Sequence, residues 1–148
     1  MLNFDNAIKE VANRFNAQIK ELSPSVYSLD IPFKLKDGSS RYQYVYAWVI
    51  PDEHKRRNYF YFNSRCGTYE EGTTDTYNLL KEAAFGHYSS ITITKDKLAD
   101  GTPCETVIVQ ASPIGEHVKT IEELADIVWE VAEVADIIEE KYFGGDKN

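Results

Sequence analysis

Hydrophobic and polar positions follow two different periods along the chain, and the changes of period mark the predicted elements. Apolar residues recur at steps of three and four in three segments, which is the spacing of one face of a helix. Elsewhere apolar and polar residues alternate in steps of two, as they do in strands. We therefore predict helices over about 3–22, 75–85 and 121–143. We predict strands over about 27–35, 41–50, 57–64, 89–94 and 105–111.

The first predicted helix depends on one apolar stripe that a proline ends. The stripe consists of Phe4, Ile8, Val11, Phe15, Ile19 and Leu22. Asn3 is a suitable N-cap, and Pro24 cannot continue the helix. We expect the chain to leave the helix at 23–25 and to enter its first strand directly afterwards.

The other two predicted helices carry their own start and stop signals. Thr74 or Asp75 can cap the second helix, whose expected apolar stripe is Tyr77, Leu80 and Ala84. Thr120 and Glu123 match a capping box at the start of the third helix. Gly144 and Gly145 are expected to stop that helix.

The second predicted strand carries apolar groups on both of its faces. Tyr42, Tyr44, Tyr46 and Trp48 share one side, and Val45, Ala47 and Val49 share the other. The third predicted strand repeats this character at 59–62. Two apolar faces are typical of a central strand, so we expect both strands to be covered on both faces.

The order of elements predicts an α+β fold in a single domain over 1–148. The order is α-β-β-β-α-β-β-α, and short hairpin connections favour mainly antiparallel pairing. We therefore expect a five-stranded sheet with three helices packed on it. A chain of 148 residues can bury a sufficient core without a disulfide or a metal.

Charge and composition narrow the class of partner. The net charge is −8, and eight acids with no Lys or Arg lie between Thr120 and Glu140. This balance opposes general binding to nucleic acid or to anionic lipid. No signal peptide is expected, and the longest apolar run, 44–50, is too short to cross a membrane. With Cys66 and Cys104 as its two thiols, we expect a cytoplasmic protein.

Three local segments resemble a known group of proteins. The second helix runs into Phe85-Gly86-His87-Tyr88, the last helix carries 134–140, and Tyr142-Phe143-Gly144-Gly145 follows. With the order of elements, these segments resemble type III secretion chaperones and YbjN-like bacterial proteins over nearly the whole chain. The resemblance implies a homodimer without enzymatic activity. It also implies binding of an extended client segment along apolar grooves, or a regulatory role.

The aromatic side of the second strand is the candidate partner-binding site. Tyr and Trp offer large contact areas at low entropic cost and carry a polar group, which suits interfaces. The candidate residues are Tyr42, Tyr44, Tyr46 and Trp48, with Tyr59 and Tyr61 as neighbours on the third strand. The alternative is that helices cover these rings and make them part of the core.

A basic turn before the third strand raises a nucleic-acid alternative. His54-Lys55-Arg56-Arg57 precedes Tyr59-Phe60-Tyr61-Phe62, and basic residues beside strand aromatics can bind single-stranded RNA. The glycine-containing pattern of RNA-recognition strands is missing. The negative net charge also opposes binding to an anionic nucleic acid, so RNA binding stays the lesser alternative.

Candidate catalytic chemistry is sparse. A nucleophilic Cys66 would need a base such as His54 or His87 within hydrogen-bond distance, and no surrounding motif supports one. Asp52-Glu53-His54 are adjacent turn residues rather than spaced metal ligands. We therefore predict no catalytic residue, no cofactor and no metal. The function we expect is protein binding, and a small-molecule site or an unrecognised enzyme pocket is the main alternative.

Overall fold

The computed structural model describes residues 1–144 and consists of three α-helices and six strands over that range. The helices are α1 (Phe4–Arg14), α2 (Thr76–Lys81) and α3 (Ile121–Phe143). The strands are β1 (Gln18–Ser23), β2 (Val26–Lys34), β3 (Ser40–Asp52), β4 (Arg57–Thr68), β5 (Ser90–Lys97) and β6 (Pro103–Ala111). Two 3₁₀ turns lie at Glu82–Phe85 and Gly115–His117.

The six strands form one antiparallel sheet in the order β1-β2-β3-β4-β6-β5. The α+β class and the three helices are confirmed. The predicted number of five strands is wrong, because the described residues form six. The sixth is β1, which pairs with β2 at the edge of the sheet.

The end of the first helix is the source of that error. The α-helix ends at Arg14, and Asn16 takes a left-handed backbone conformation with φ 53°. A left-handed residue breaks the helical path, so the chain reverses and β1 pairs with β2. Leu22, predicted to belong to the helical stripe, is a strand residue that is 56% exposed. Pro24 lies in the turn between β1 and β2.

The second helix is shorter than predicted. Asp75 caps it by accepting a hydrogen bond from the Asn78 backbone N–H at 3.2 Å. The α-helix ends at Lys81, after which the chain tightens into a 3₁₀ turn. The predicted stripe is wrong, since Tyr77 and Leu80 are exposed and Leu79 is the buried residue.

The bounds of the third helix match the prediction. The Thr120 hydroxyl accepts a hydrogen bond from the Glu123 backbone N–H at 3.1 Å. At the other end Gly144 takes φ 73°, the left-handed conformation that glycine adopts at little cost. The predicted role of Gly145 lies outside the described residues. No helix in residues 1–144 is long and apolar enough to cross a membrane.

The hydrophobic core lies between one face of the sheet and the helices α1 and α3. Phe4 of α1 packs on Phe60 of β4, with ring centroids 5.0 Å apart. Trp129 of α3 lies between Phe15 and Phe33, at centroid distances of 5.3 and 4.9 Å. The buried strand residues of this face are Tyr27, Leu29, Ile31, Val45, Ala47, Phe60, Phe62, Val107, Val109 and Ala111.

Candidate functional site

Only one face of the sheet is covered by helices. Val45 and Ala47 of β3 are fully buried beneath α3, whereas Tyr42 and Tyr44 on the opposite face are 45% and 38% exposed. No helix among residues 1–144 packs on this second face. The expectation that β3 and β4 are covered on both sides is therefore wrong. The alternation of the sequence puts apolar groups on both faces of these strands, but α1 and α3 both pack on the same face and leave the other one open.

The structure places the six predicted aromatic residues on the uncovered face, with Tyr42 and Tyr59 toward its opposite ends and the other four between them. We call them the aromatic face: Tyr42, Tyr44, Tyr46, Trp48, Tyr59 and Tyr61. Trp48 and Tyr61 are paired positions of β3 and β4, and their ring centroids are 4.8 Å apart. The Tyr61 hydroxyl donates to Gln110 Oε1 at 2.7 Å. Burial raises the pKa of Tyr61, so this hydroxyl stays protonated and remains a donor.

The uncovered face is concave. Leu22 of β1 and Thr94 of β5 lie at opposite edges of the sheet, yet both line one cavity of about 480 Å³. In a flat sheet five strand spacings of about 4.8 Å would separate these edges by about 24 Å. The strands must therefore curl toward each other. We call this cavity the groove; its lining is completed by Val26, Tyr46, Trp48, Tyr61, Asn63, Arg65, Lys95, Asp96 and Ile108.

Arg65 and Asp96 form the charged side of the groove. An Arg65 Nη2 nitrogen lies 3.2 Å from an Asp96 carboxylate oxygen. Asp96 also accepts hydrogen bonds from the Lys97 backbone N–H and the Thr106 hydroxyl, both at 2.9 Å. These bonds, the backbone one first, lower the pKa of Asp96. The carboxylate therefore stays ionised and well satisfied, while the Arg65 side chain remains 50% exposed.

A second, smaller cavity adjoins the groove where β3 and β4 separate. The pairing of β3 with β4 ends at Tyr46 and Asn63. From there toward Ser40, β3 is paired with β2 alone, and toward Thr68, β4 is paired with β6 alone. Gln43 bridges the gap by donating from Nε2 to Ser64 Oγ at 2.8 Å and to the Arg65 carbonyl at 3.0 Å. The cavity of about 220 Å³ is lined by Gln43, Tyr44, Tyr46 and Arg65.

Arg41 anchors α3 to the end of β3. Its guanidinium donates to both carboxylate oxygens of Asp136, at 2.8 and 2.7 Å, and to Glu140 at 2.8 Å. The Asp136 side chain is only 9% exposed, so it depends on this partner. Two carboxylates within bonding distance keep the Arg41 charge in place and raise its pKa. The pair fixes the helix on the covered face and leaves the aromatic face free.

The other candidate residues do not assemble with the aromatic face. Cys66 is fully buried, and this burial raises the pKa of its thiol, so it is a poor nucleophile. His54 lies in the β3–β4 turn, and His87 follows the 3₁₀ turn after α2. No group of three His, Cys, Asp or Glu side chains in residues 1–144 is arranged to hold a metal ion. Of the basic stretch beside the aromatics, Lys55 and Arg56 lie in the turn.

The groove also contains residues that the sequence pattern does not identify. The pattern places Leu22 in a helix, and it places Arg65 and Asp96 beyond the ends of the predicted strands. One signal was present for Arg65, because it continues the two-residue alternation that begins at Tyr59 and Tyr61. For Leu22 no such signal exists, since its approach to β5 depends on the curvature of the whole sheet.

Comparison with known proteins returns no matching family model, no significantly similar curated protein and no significantly similar solved structure. The resemblance to secretion chaperones and YbjN-like proteins therefore stays a prediction. What the site can do follows from its residues and their geometry.

Proposed function

We propose that this chain is a non-enzymatic protein-binding module, chaperone-like or regulatory, that holds an extended polypeptide segment against its aromatic face. One observation carries the proposal: six aromatic side chains share a sheet face that no described helix covers, and Tyr46, Trp48 and Tyr61 among them line its groove. Exposed aromatic clusters of this kind are typical of interaction surfaces, because burying them on a partner releases the water that they order.

The spacing of the aromatic face supports an extended partner. Successive side chains on one face of a strand lie about 6.7 Å apart, and Tyr42, Tyr44, Tyr46 and Trp48 follow this spacing along β3. An extended polypeptide carries its own alternate side chains at the same interval. A segment lying along β3 can therefore place one side chain between each pair of neighbouring rings.

The charge distribution supports a polypeptide rather than a nucleic acid. The chain carries a net charge of −8, and among the described residues Arg65 is the one cation whose side chain points into the groove, where Asp96 balances its charge. A phosphate backbone would need several free cations along the groove. Tyrosine hydroxyls and the amides of Asn63 and Gln110 instead offer donors and acceptors that suit peptide groups.

We propose separately that the molecule acts as a homodimer, with β5 as the contact. Strand β5 is an outer strand of the sheet, and it extends over Ser90–Lys97. Its first half, Ser90-Ile91-Thr92-Ile93-Thr94, has no charge and no proline, and Ile93 is 36% exposed; the charged residues Lys95, Asp96 and Lys97 are confined to the second half. Outer strands usually carry charges or bulges that prevent pairing, as β1 does with Lys20, Glu21 and its bulge. Pairing at β5 would leave the aromatic face available for a client.

A peptide array tests the binding proposal. The purified chain is incubated with an array of immobilised random peptides of about nine residues, each long enough to span the aromatic face. We expect wild type to bind a subset of peptides and the Tyr46→Asp/Trp48→Asp variant to lose those signals. Tyr77→Asp is the matched control, because Tyr77 is an aromatic residue on α2 that is 72% exposed. Equal binding by wild type and the double variant would contradict the proposal.

A further inference from the structure

We propose that the groove selects extended segments that carry an apolar side chain and an acidic side chain about four residues apart. This inference rests on the proposed function, and it adds the chemistry of the client. It follows from an unequal distribution of side chains along the groove: one end is aromatic, and the other end carries Arg65, whose guanidinium has N–H donors that Asp96 does not use.

The charged end of the groove has spare donors. The ionisable side chains that point into it are those of Arg65 and Asp96. Asp96 is already engaged by Arg65, by the Lys97 backbone N–H and by the Thr106 hydroxyl. Lys95 also borders the groove, but strand alternation places its side chain on the opposite face with Ile91 and Ile93, beside its paired residue Glu105 of β6. The pair of Arg65 and Asp96 carries no net charge, so the attraction for a client carboxylate comes from the N–H donors of Arg65 that Asp96 does not use.

Arg65 has N–H donors left with which to bind a further carboxylate. Its Nη2 nitrogen contacts Asp96, and no other side chain of the described residues bonds its guanidinium. A guanidinium has five N–H donors, so most of them remain available. Arg65 also lines the adjoining cavity of about 220 Å³, which gives an incoming acidic side chain room beside Tyr44 and Tyr46. An arginine fork of this kind prefers carboxylates over neutral groups.

The aromatic end of the groove takes the apolar side chain. Trp48 and Tyr61 are in ring contact there and form an apolar floor. Asn63 and Arg65 follow Tyr61 along β4, and Ile108 lies opposite Arg65 on β6. A leucine or phenylalanine placed over Trp48 and Tyr61 would be removed from water on most sides.

The spacing of the two ends sets the spacing in the client. Tyr61 and Arg65 are four residues apart on β4, which is about 13 Å along a strand. An extended client lying parallel or antiparallel to β4 covers the same distance with four of its own residues. Its apolar and acidic side chains then point to the same face, because four is an even number of steps.

Fluorescence polarisation with defined probes tests this inference. The probe is a fluorescein-labelled Ser/Thr peptide of about nine residues with Leu and Glu four positions apart. Three comparison peptides replace Glu by Gln, Glu by Lys, or Leu by Ser. We expect the Leu/Glu peptide to bind wild type about tenfold more tightly than the Gln form, the difference one charge-assisted contact supplies. The Lys form is expected to bind more weakly still.

A charge exchange gives the decisive comparison. Arg65→Glu should invert the preference, so that the Lys peptide binds this variant more tightly than the Glu peptide does. Lys20→Glu is the matched control: Lys20 is an exposed residue of β1 that does not line the groove. This control should keep the preference of wild type. If Arg65→Glu and Lys20→Glu reduce binding of the Glu peptide equally, a general charge effect is responsible and the inference is wrong.

The outcomes separate this inference from the proposed function. If wild type binds the Leu/Glu and Leu/Gln peptides with equal affinity, the acidic preference is wrong and polypeptide binding still stands. If wild type binds none of these peptides and none of the array peptides, both the inference and the proposed function are wrong. Octanoate serves as a competitor without a peptide backbone. If octanoate binds as tightly as the Leu/Glu peptide, the groove recognises an amphipathic carboxylate rather than a polypeptide, which also overturns the inference.

Discussion

Trp48 of β3 and Tyr61 of β4 lie side by side on the uncovered face of the sheet, with ring centroids 4.8 Å apart and ring planes inclined by 33°. The neighbouring pair along the same two strands, Ala47 and Phe62, points to the opposite face of the sheet and is fully buried. A sheet with helices on one side usually presents polar residues to water on the other. This sheet instead presents a row of rings along β3, and that contrast is the basis for proposing a binding function.

Replacing the centre of the aromatic face should remove binding and preserve the fold. The rings of Tyr46 and Trp48 are half-buried, so Tyr46→Asp/Trp48→Asp should lower the free energy of unfolding by about 1–3 kcal/mol. Urea unfolding followed by circular dichroism measures this change. An unfolded double variant would mean that the rings are core residues, as the alternative interpretation holds.

Light scattering coupled to size exclusion tests the proposed homodimer. We expect wild type at twice the chain mass of 16.9 kDa. Ile93→Lys should shift it to the monomer mass, because a charge on an outer strand opposes strand pairing. The Tyr46→Asp/Trp48→Asp variant should remain dimeric. If that variant becomes a folded monomer instead, the aromatic face is the subunit contact; a monomeric wild type ends the homodimer proposal.

The ion pair between Arg41 and Asp136 should contribute strongly to stability. Arg41→Ala leaves a carboxylate that is 9% exposed without its bidentate partner, so the free energy of unfolding should fall by about 2–4 kcal/mol. The Arg41→Leu/Asp136→Leu variant should recover much of that loss, since no buried charge remains. Glu140→Gln is the control, and its effect should be small because Glu140 is 60% exposed. Equal effects of Arg41→Ala and Glu140→Gln would contradict this account.

Glu130 should make stability depend on pH. Its carboxylate accepts hydrogen bonds from the backbone N–H groups of His87, Tyr88 and Ser89 at 2.6–2.9 Å. Burial alone would raise the pKa of Glu130, but these bonds outweigh it and lower the pKa below its ordinary value of 4.5. A lowered pKa means that the folded state favours the charged carboxylate, so its stabilisation is present above pH 4.5 and is lost as the pH falls through the folded-state pKa.

Glu130→Gln tests that dependence. At pH 7 the free energy of unfolding of the variant should be about 1 kcal/mol lower than that of wild type. This difference should shrink as the pH falls below 4.5. Urea unfolding over a pH series gives both curves. Glu53→Gln, an exposed change of the same kind in the β3–β4 turn, is the matched control and should leave the free energy of unfolding at pH 7 close to that of wild type. A difference for Glu130→Gln that stays constant down to acid pH would contradict the assigned hydrogen bonds.

The composition of the aromatic face could be predicted from the sequence, but its exposure could not. Alternation by two places Tyr42, Tyr44, Tyr46 and Trp48 on one side of β3, and the structure has them there. Which side the helices cover depends on where α3 docks. That docking is set by contacts far apart in sequence, such as Arg41 with Asp136, which no local pattern reveals.

The misassigned strand β1 shows a second limit of local patterns. Phe15, Ile19 and Leu22 continue the helical spacing of α1, so periodicity alone extends the helix. The backbone leaves the helix at Asn16, and strand pairing with β2 then determines the conformation of 18–23. The same segment supplies Leu22 to the groove. Because the predicted helix extends over this segment, the sequence pattern does not identify Leu22 as a residue of the candidate site.

The most direct test of polypeptide binding at the aromatic face is acrylamide quenching of Trp48 fluorescence. The Trp129→Phe variant leaves Trp48 as the single tryptophan, because the chain has two. We predict that acrylamide quenches Trp48 in the free protein and that a saturating amount of the Leu/Glu peptide protects it. If polarisation shows that the peptide is bound while Trp48 remains equally quenchable, the peptide binds elsewhere and the aromatic face is not the binding surface.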